Sequence, residues 1–173
     1  PLVTIVTGGI VAYFVGPYLA MAMANLGEFI RVSTELQPFL MGVAVSVLMG
    51  IILTLPISSA ALSIILSLSG LAAGAATVGC SAQMIGFAVI SFKANGWNGL
   101  LAQGLGTSML QVPNIMRKPI IWLPPIVASA ILGPLATLVF KMQNNPAGGG
   151  MGTSGLVGQL MTWQTMSGQM DKV

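Results

Sequence analysis

Residues 36–92 read LQPFLMGVAVSVLMGIILTLPISSAALSIILSLSGLAAGAATVGCSAQMIGFAVISF, a run of 57 positions without one charged side chain. As a single helix it would measure roughly 85 Å at about 1.5 Å per residue. A bilayer core is roughly 30 Å thick and takes about 20 apolar residues to cross. The run must therefore fold back on itself. Leu55-Pro56-Ile57-Ser58-Ser59 and Ser69-Gly70 are its natural breaks, because proline and clustered small polar residues interrupt helices. Three spans result, about 38–55, 57–73 and 75–92. The middle one is short and serine-rich, and a re-entrant course is open to it where protein or water covers the irregular backbone.

The rest of the chain agrees with a membrane setting. Of 173 residues, 55% are hydrophobic and 5% charged, against about 25% charged in soluble domains. A soluble chain this short could not hide so much apolar surface. Residues 2–24 carry no charge and form a first span, with Pro17 expected to kink it. Residues 25–37 make a polar link in which Glu28 and Arg31 are spaced to pair on one helical turn. Residues 120–140 form the last span, broken by Pro124-Pro125 and Gly133-Pro134. Between and after these lie two glycine-rich segments, 94–116 and 144–160. The first reads as a surface loop, an interfacial hairpin or a re-entrant hairpin; the second reads as a hairpin-like element more readily than as a flexible linker. The fold class expected is thus all-α: one polytopic transmembrane domain over residues 1–173, with broken helices.

Several function classes drop out. The six basic residues are scattered, and only Arg117-Lys118 are adjacent, so no basic face for nucleic acid exists. One cysteine, Cys80, allows no internal disulfide. With no histidine, a His-based triad, a haem His ligand and phosphohistidine chemistry are all impossible within this chain. No metal site and no cofactor are expected, and catalysis by this chain alone is not. The opening at Pro1 has no basic n-region and does not read as a signal peptide; it suggests a piece of a longer protein.

Small residues recur at helical spacing. Gly42, Ser46 and Gly50 are four apart, as are Gly70 and Gly74, and Ala72 and Ala76. Such faces let helices approach closely, either as plain packing or as the wall of a solute path.

One pentapeptide pattern occurs twice, as Gly104-Leu105-Gly106-Thr107-Ser108 and Gly150-Met151-Gly152-Thr153-Ser154, 46 positions apart. Gln103 precedes one copy, and Asn144-Asn145-Pro146 the other. Glycine-rich turns followed by hydroxyls can offer backbone N–H groups to an anion or to sugar hydroxyls. No Gly-Lys-Ser/Thr follows, so this is no Walker A loop. The candidate substrate-binding residues are therefore Gln103, Gly106 and Thr107 on the first segment and Asn144, Asn145, Gly152, Thr153 and Ser154 on the second. Glu35, at the mouth of the uncharged run, could bind hydroxyls, carry a proton or simply face the interface. Gln83 lies inside a span, where a buried amide needs partners; it is either a helix–helix clamp or a ligand contact.

At GLAAGAATVGCSAQMIGFAV (70–89) and NNPAGGGMGTSGLVGQ (144–159) the sequence resembles the phosphotransferase-system EIIC-like membrane proteins, including the PfoR type. The resemblance covers most of the chain, which would be roughly half of a full-length member. It implies a multi-pass protein of the bacterial inner membrane that moves a sugar or similar small polar solute while cytoplasmic phosphotransferase partners phosphorylate it. Sugar-binding members commonly use a Glu and a His near re-entrant hairpins, and the His is missing here. The competing expectation is a ligand-sensing regulatory or structural membrane protein that moves nothing. Orientation rests on Lys93, Arg117 and Lys118 against Arg31 and Lys141, which weakly puts 93–118 in the cytoplasm. A homodimer is expected on symmetry grounds, or else contacts with the missing half.

Overall fold

The computed structural model describes residues 2–34 and 37–170. They are mostly helical, with no strand among the described residues and one isolated backbone bridge between Gly70 and Asn144. Among the described residues, three helices are long and apolar enough to cross a membrane: Val3–Ala22, Gly70–Gly106 and Pro119–Val139.

Helix α1 (Leu2–Thr34) continues through Pro17 instead of ending there. It also absorbs most of the expected polar link, since nothing in 25–34 stops a helix. The side chain of Arg31 lies outside the described residues, so the expected pairing with Glu28 does too. None of the described side chains of the Val3–Ala22 segment is buried, while Ile30 near the other end of α1 is fully buried.

Helix α2 (Pro38–Thr54) begins on a proline, where the missing N–H costs nothing. The chain then turns at 55–58 and returns as α3 (Ser59–Ile65), capped by Ser58 Oγ, which accepts from the amide of Ala61 at 3.2 Å. The expected span 57–73 is thus seven helical residues, a turn with Ser67 at φ 50°, and the start of the next helix. Its serines explain the shortfall. Ser59 Oγ donates to the carbonyl of Gly150 at 2.7 Å, so one face of α3 packs against a neighbouring segment.

Helix α4 (Gly70–Leu101) is the axis of the fold. It is broken at Gly96, whose φ of 58° and ψ of −151° belong to no helix. Beyond that residue the chain doubles back. Gln103 Nε2 donates to Ser91 Oγ at 2.9 Å, and a Cβ on Gly104 would rest 3.6 Å from both Ala88 and Ile85. Phe92 and Trp97 meet edge-to-face across the bend at 5.4 Å. The crossing helix is therefore 70–95, about 39 Å long, and 97–106 is a returning arm that ends in a π-helical turn (Ala102–Gly106). A 3₁₀ turn (Ser108–Gln111) and α5 (Val112–Arg117) then carry the chain back to the Asn95 end of α4.

The second crossing element after α1 is α6 (Leu123–Pro134), preceded by a 3₁₀ turn (Pro119–Trp122) and extended by a π-helical turn (Leu135–Val139). Pro124 and Pro125 fall in its first turn, where they are tolerated, and the π turn follows directly on Pro134, which has no N–H to give an α-helix. A short α7 (Pro146–Gly149), a 3₁₀ turn (Ser154–Leu156) and α8 (Val157–Met170) complete the chain.

The centre is the packing of α2, α4 and α6, and glycine makes it possible. A Cβ on Gly79 would collide with the Ser46 carbonyl, and one on Gly133 with that of Gly42. A Cβ on Gly50 would meet Gln83 Cγ and the Gly79 carbonyl at 2.8 Å. The Gly42-Ser46-Gly50 face is thus spent on helix packing. Ser46 Oγ donates to the Ser129 carbonyl at 2.8 Å, and Ser129 Oγ lies 3.2 Å from the Gly79 carbonyl, so hydroxyls stitch all three helices. These pairings make α2 parallel to α4 and α6 antiparallel to both.

Candidate functional site

Two helical hairpins enter this core from opposite ends of α4. The first is 97–117, described above. The second is 144–170. It starts beside Gly70, where Gly70 and Asn144 exchange backbone hydrogen bonds of 3.0 and 3.2 Å. It climbs along α4, so that Gly148 lies by Thr77 and Gly152 packs on the backbone of Cys80 and Ser81. It then reverses, with Gly158 level with Thr77 again. Gly152 has φ 54°, a conformation that only glycine adopts freely, and Cys80 leaves no room for a side chain there.

The tips of the two hairpins touch, and each tip is one copy of the repeated pentapeptide. The Thr153 hydroxyl donates to the carbonyl of Gly104, with Met84 Sδ 3.4 Å away. The meeting point lies beside residues 84–88 of α4, near the middle of the 70–95 crossing. Because α4 and α6 are antiparallel and each is followed by a hairpin, the chain from Gly70 on consists of two span-and-hairpin units of opposite orientation.

The expected site residues fall into three groups. Gly106, Thr107, Thr153 and Ser154 gather at the junction. Gly106 is exposed, with open space where a Cβ would stand, and Thr107 and Ser154 are half-buried. Thr107 Oγ1 accepts from the Met109 amide at 3.1 Å, and Ser108 Oγ pairs with Thr54 Oγ1 at 3.0 Å, fixing the first tip to the end of α2.

A second group holds the hairpins in place. Asn144 Nδ2 donates to Thr77 Oγ1 at 2.7 Å and to the Gly158 carbonyl at 3.1 Å, while its Oδ1 accepts from the Asn145 amide at 2.8 Å. Asn145 Oδ1 caps α7 through the Gly148 amide at 2.9 Å. Gly152 belongs here for the close approach already described. Gln103 accepts on Oε1 from Gln111 Nε2 at 2.9 Å, and Gln111 Oε1 in turn accepts from Asn114 Nδ2 at 2.8 Å. The resulting line of amides, Asn114 to Gln111 to Gln103 to Ser91, runs up the first hairpin. Gln111, Asn114 and Ser91 owe their roles to the Gly96 reversal. Without it, their sequence spacing offers no sign that they meet.

Gln83 stands apart. It is fully buried between α2 and α4, and neither its oxygen nor its nitrogen has a hydrogen-bond partner. The clamp reading requires such a partner, and the structure supplies none. Glu35 lies outside the described residues.

Among the described residues no group of three or more His, Cys, Asp or Glu side chains comes together. The junction residues themselves, 102–108 and 150–156, contain no charge.

Comparison with known proteins gives one family. The model of the family described as "Phosphotransferase system, EIIC" matches residues 1–171. No curated protein and no solved structure shows significant similarity to the chain. With the match covering nearly the whole length, the chain belongs to the EIIC family of the phosphotransferase system, a membrane component of sugar transport.

Proposed function

We propose that the chain is a translocation component for a sugar or similar uncharged polar solute, bound where the two hairpin tips meet. The observation that carries this reading is the Thr153–Gly104 contact, which puts two oppositely directed re-entrant tips together midway along a crossing helix. Broken elements meeting near the bilayer midplane at the interface of inverted units are a recurrent transporter arrangement. Gly106 and Gly155 are exposed and Thr107 and Ser154 half-buried, and together they offer hydroxyls and backbone groups but no charge, which suits a neutral polyol better than an ion. Gln83, with two unsatisfied polar atoms, supplies a further amide at this depth. Coupling to cytoplasmic phosphotransferase proteins, a homodimeric state and residence in the bacterial inner membrane belong to the same proposal. The clustering of Lys93, Arg117 and Lys118 at one end supports placing that end in the cytoplasm.

Uptake of labelled sugars into proteoliposomes carrying the full-length protein tests it. The expected result is uptake of a restricted set of sugars, lost in the Thr107→Val/Ser154→Ala variant without loss of the folded protein. Binding without uptake would move the assignment to ligand sensing, a reading favoured by the hydrogen bond that ties the tips shut. Neither binding nor uptake of any sugar would overturn both.

A further inference from the structure

At the Asn95 end of α4 lies a second polar feature that the solute path does not use. A cavity of about 340 Å³ has Ser91 and Asn95 from α4, Gln111 and Asn114 from the first hairpin, and Arg117 and Lys118 in its wall, the rest of which is apolar (Ile90, Ala94 and Ile121). Two cations therefore share one concave space with four uncharged hydrogen-bonding side chains. From residue 36 to residue 170 the sequence holds no Asp or Glu, so this part of the chain brings no carboxylate to them. The amide line ends at the cavity, where Asn114 gives one N–H to Gln111. Trp97 and Trp122 stand at the same end, one exposed and the other half-buried with a buried, unpaired Nε1. Tryptophans mark the headgroup level of a bilayer.

We infer that this cavity binds a phosphate group presented at the membrane surface. An arginine fork and a lysine ammonium are the side chains that take phosphate oxygens best, and the asparagine amides add neutral donors. The space exceeds that of a bare ion, so the phosphate carries an organic part. Two sources share this chemistry: the headgroup of an anionic phospholipid, and a soluble phosphomonoester arriving from the same side. The inference stands on the cavity alone and does not depend on the transport reading.

Tryptophan fluorescence of the purified full-length protein reads both sources, with Trp163→Phe and phenylalanine at any tryptophan outside residues 1–173 as background. The probes are brominated phosphatidylglycerol, brominated phosphatidylcholine and glycerol 3-phosphate. A lipid site gives preferential quenching by the phosphatidylglycerol. A soluble site gives a saturable emission change with glycerol 3-phosphate and no lipid preference. In either case Arg117→Gln/Lys118→Gln should weaken the response roughly tenfold or more, and Asn114→Ala should weaken it measurably. Lys93→Gln, which removes a charge from the same end but outside the cavity, should leave it unchanged. No response to any probe overturns the site. So does an equal loss in Lys93→Gln, or full binding in Asn114→Ala, because either would reduce the effect to a diffuse surface potential.

Discussion

The hydroxyl of Thr153 donates to the carbonyl of Gly104, joining residues 49 positions apart at the point where two hairpins from opposite sides of the fold meet. Both partners are buried, so the bond has no water to replace it. Thr153→Val keeps the shape and strands the carbonyl, which costs about 1–3 kcal/mol. The expected outcome is a lower melting temperature in detergent and faster amide exchange across 102–108 and 150–156. Thr153→Ser, which retains the hydroxyl, should restore most of the loss.

Gln83 gives the opposite expectation. Its amide is fully buried without partners, so an apolar replacement of similar size relieves a desolvation penalty. Gln83→Leu should raise stability by about 1–3 kcal/mol. If the amide serves the solute, uptake falls in the same variant, the usual exchange of stability for function. Thermal unfolding and uptake measured on one preparation separate the two effects.

Asn144 holds the base of the second hairpin through three side-chain hydrogen bonds. At about 1 kcal/mol each, Asn144→Leu should cost roughly 3 kcal/mol. The damage should be local, with protease sensitivity appearing first in 145–158 and the α2–α4–α6 core intact. Uniform loss of protection along the chain would contradict this anchoring role.

The glycines divide sharply by position. Gly79→Ala must separate α2 from α4, because the added carbon overlaps the Ser46 carbonyl. It should cost about 1–3 kcal/mol or more and reduce the yield of monodisperse protein. Gly8→Ala meets nothing within 4 Å and should be neutral or stabilise α1 by up to about 1 kcal/mol. Comparing the two by size-exclusion profile and melting temperature checks the assigned packing directly.

Much of this was legible from composition and spacing. The uncharged 36–92 run required folding back, the four-residue spacing of Gly42, Ser46 and Gly50 announced a close helix contact, and the repeated pentapeptide marked two related turns. What the sequence does not carry is depth. In a uniformly apolar stretch, 57–73 reads as a span because hydropathy cannot tell lipid from a protein neighbour, whereas α3 is short because Ser59 finds a partner on Gly150. The reversal at Gly96 was similarly hidden. Asn95-Gly96 signals a turn, but only tertiary contact decides that the chain goes back along α4 instead of out into water. The amide line from Asn114 to Ser91 depends on that decision and was unreadable without it.

The same uncharged body has a consequence for energetics. Between residues 36 and 170 there is no Asp, Glu or His, so the segment lacks the side chains that ordinarily gain or lose a proton between about pH 3 and 8. Hairpins, junction and packed core should keep the same protonation across that range. A proton gradient therefore has nothing to act on within the span-and-hairpin units. Any coupling to one must pass through Glu28, Glu35 or Asp171, or through residues outside this sequence.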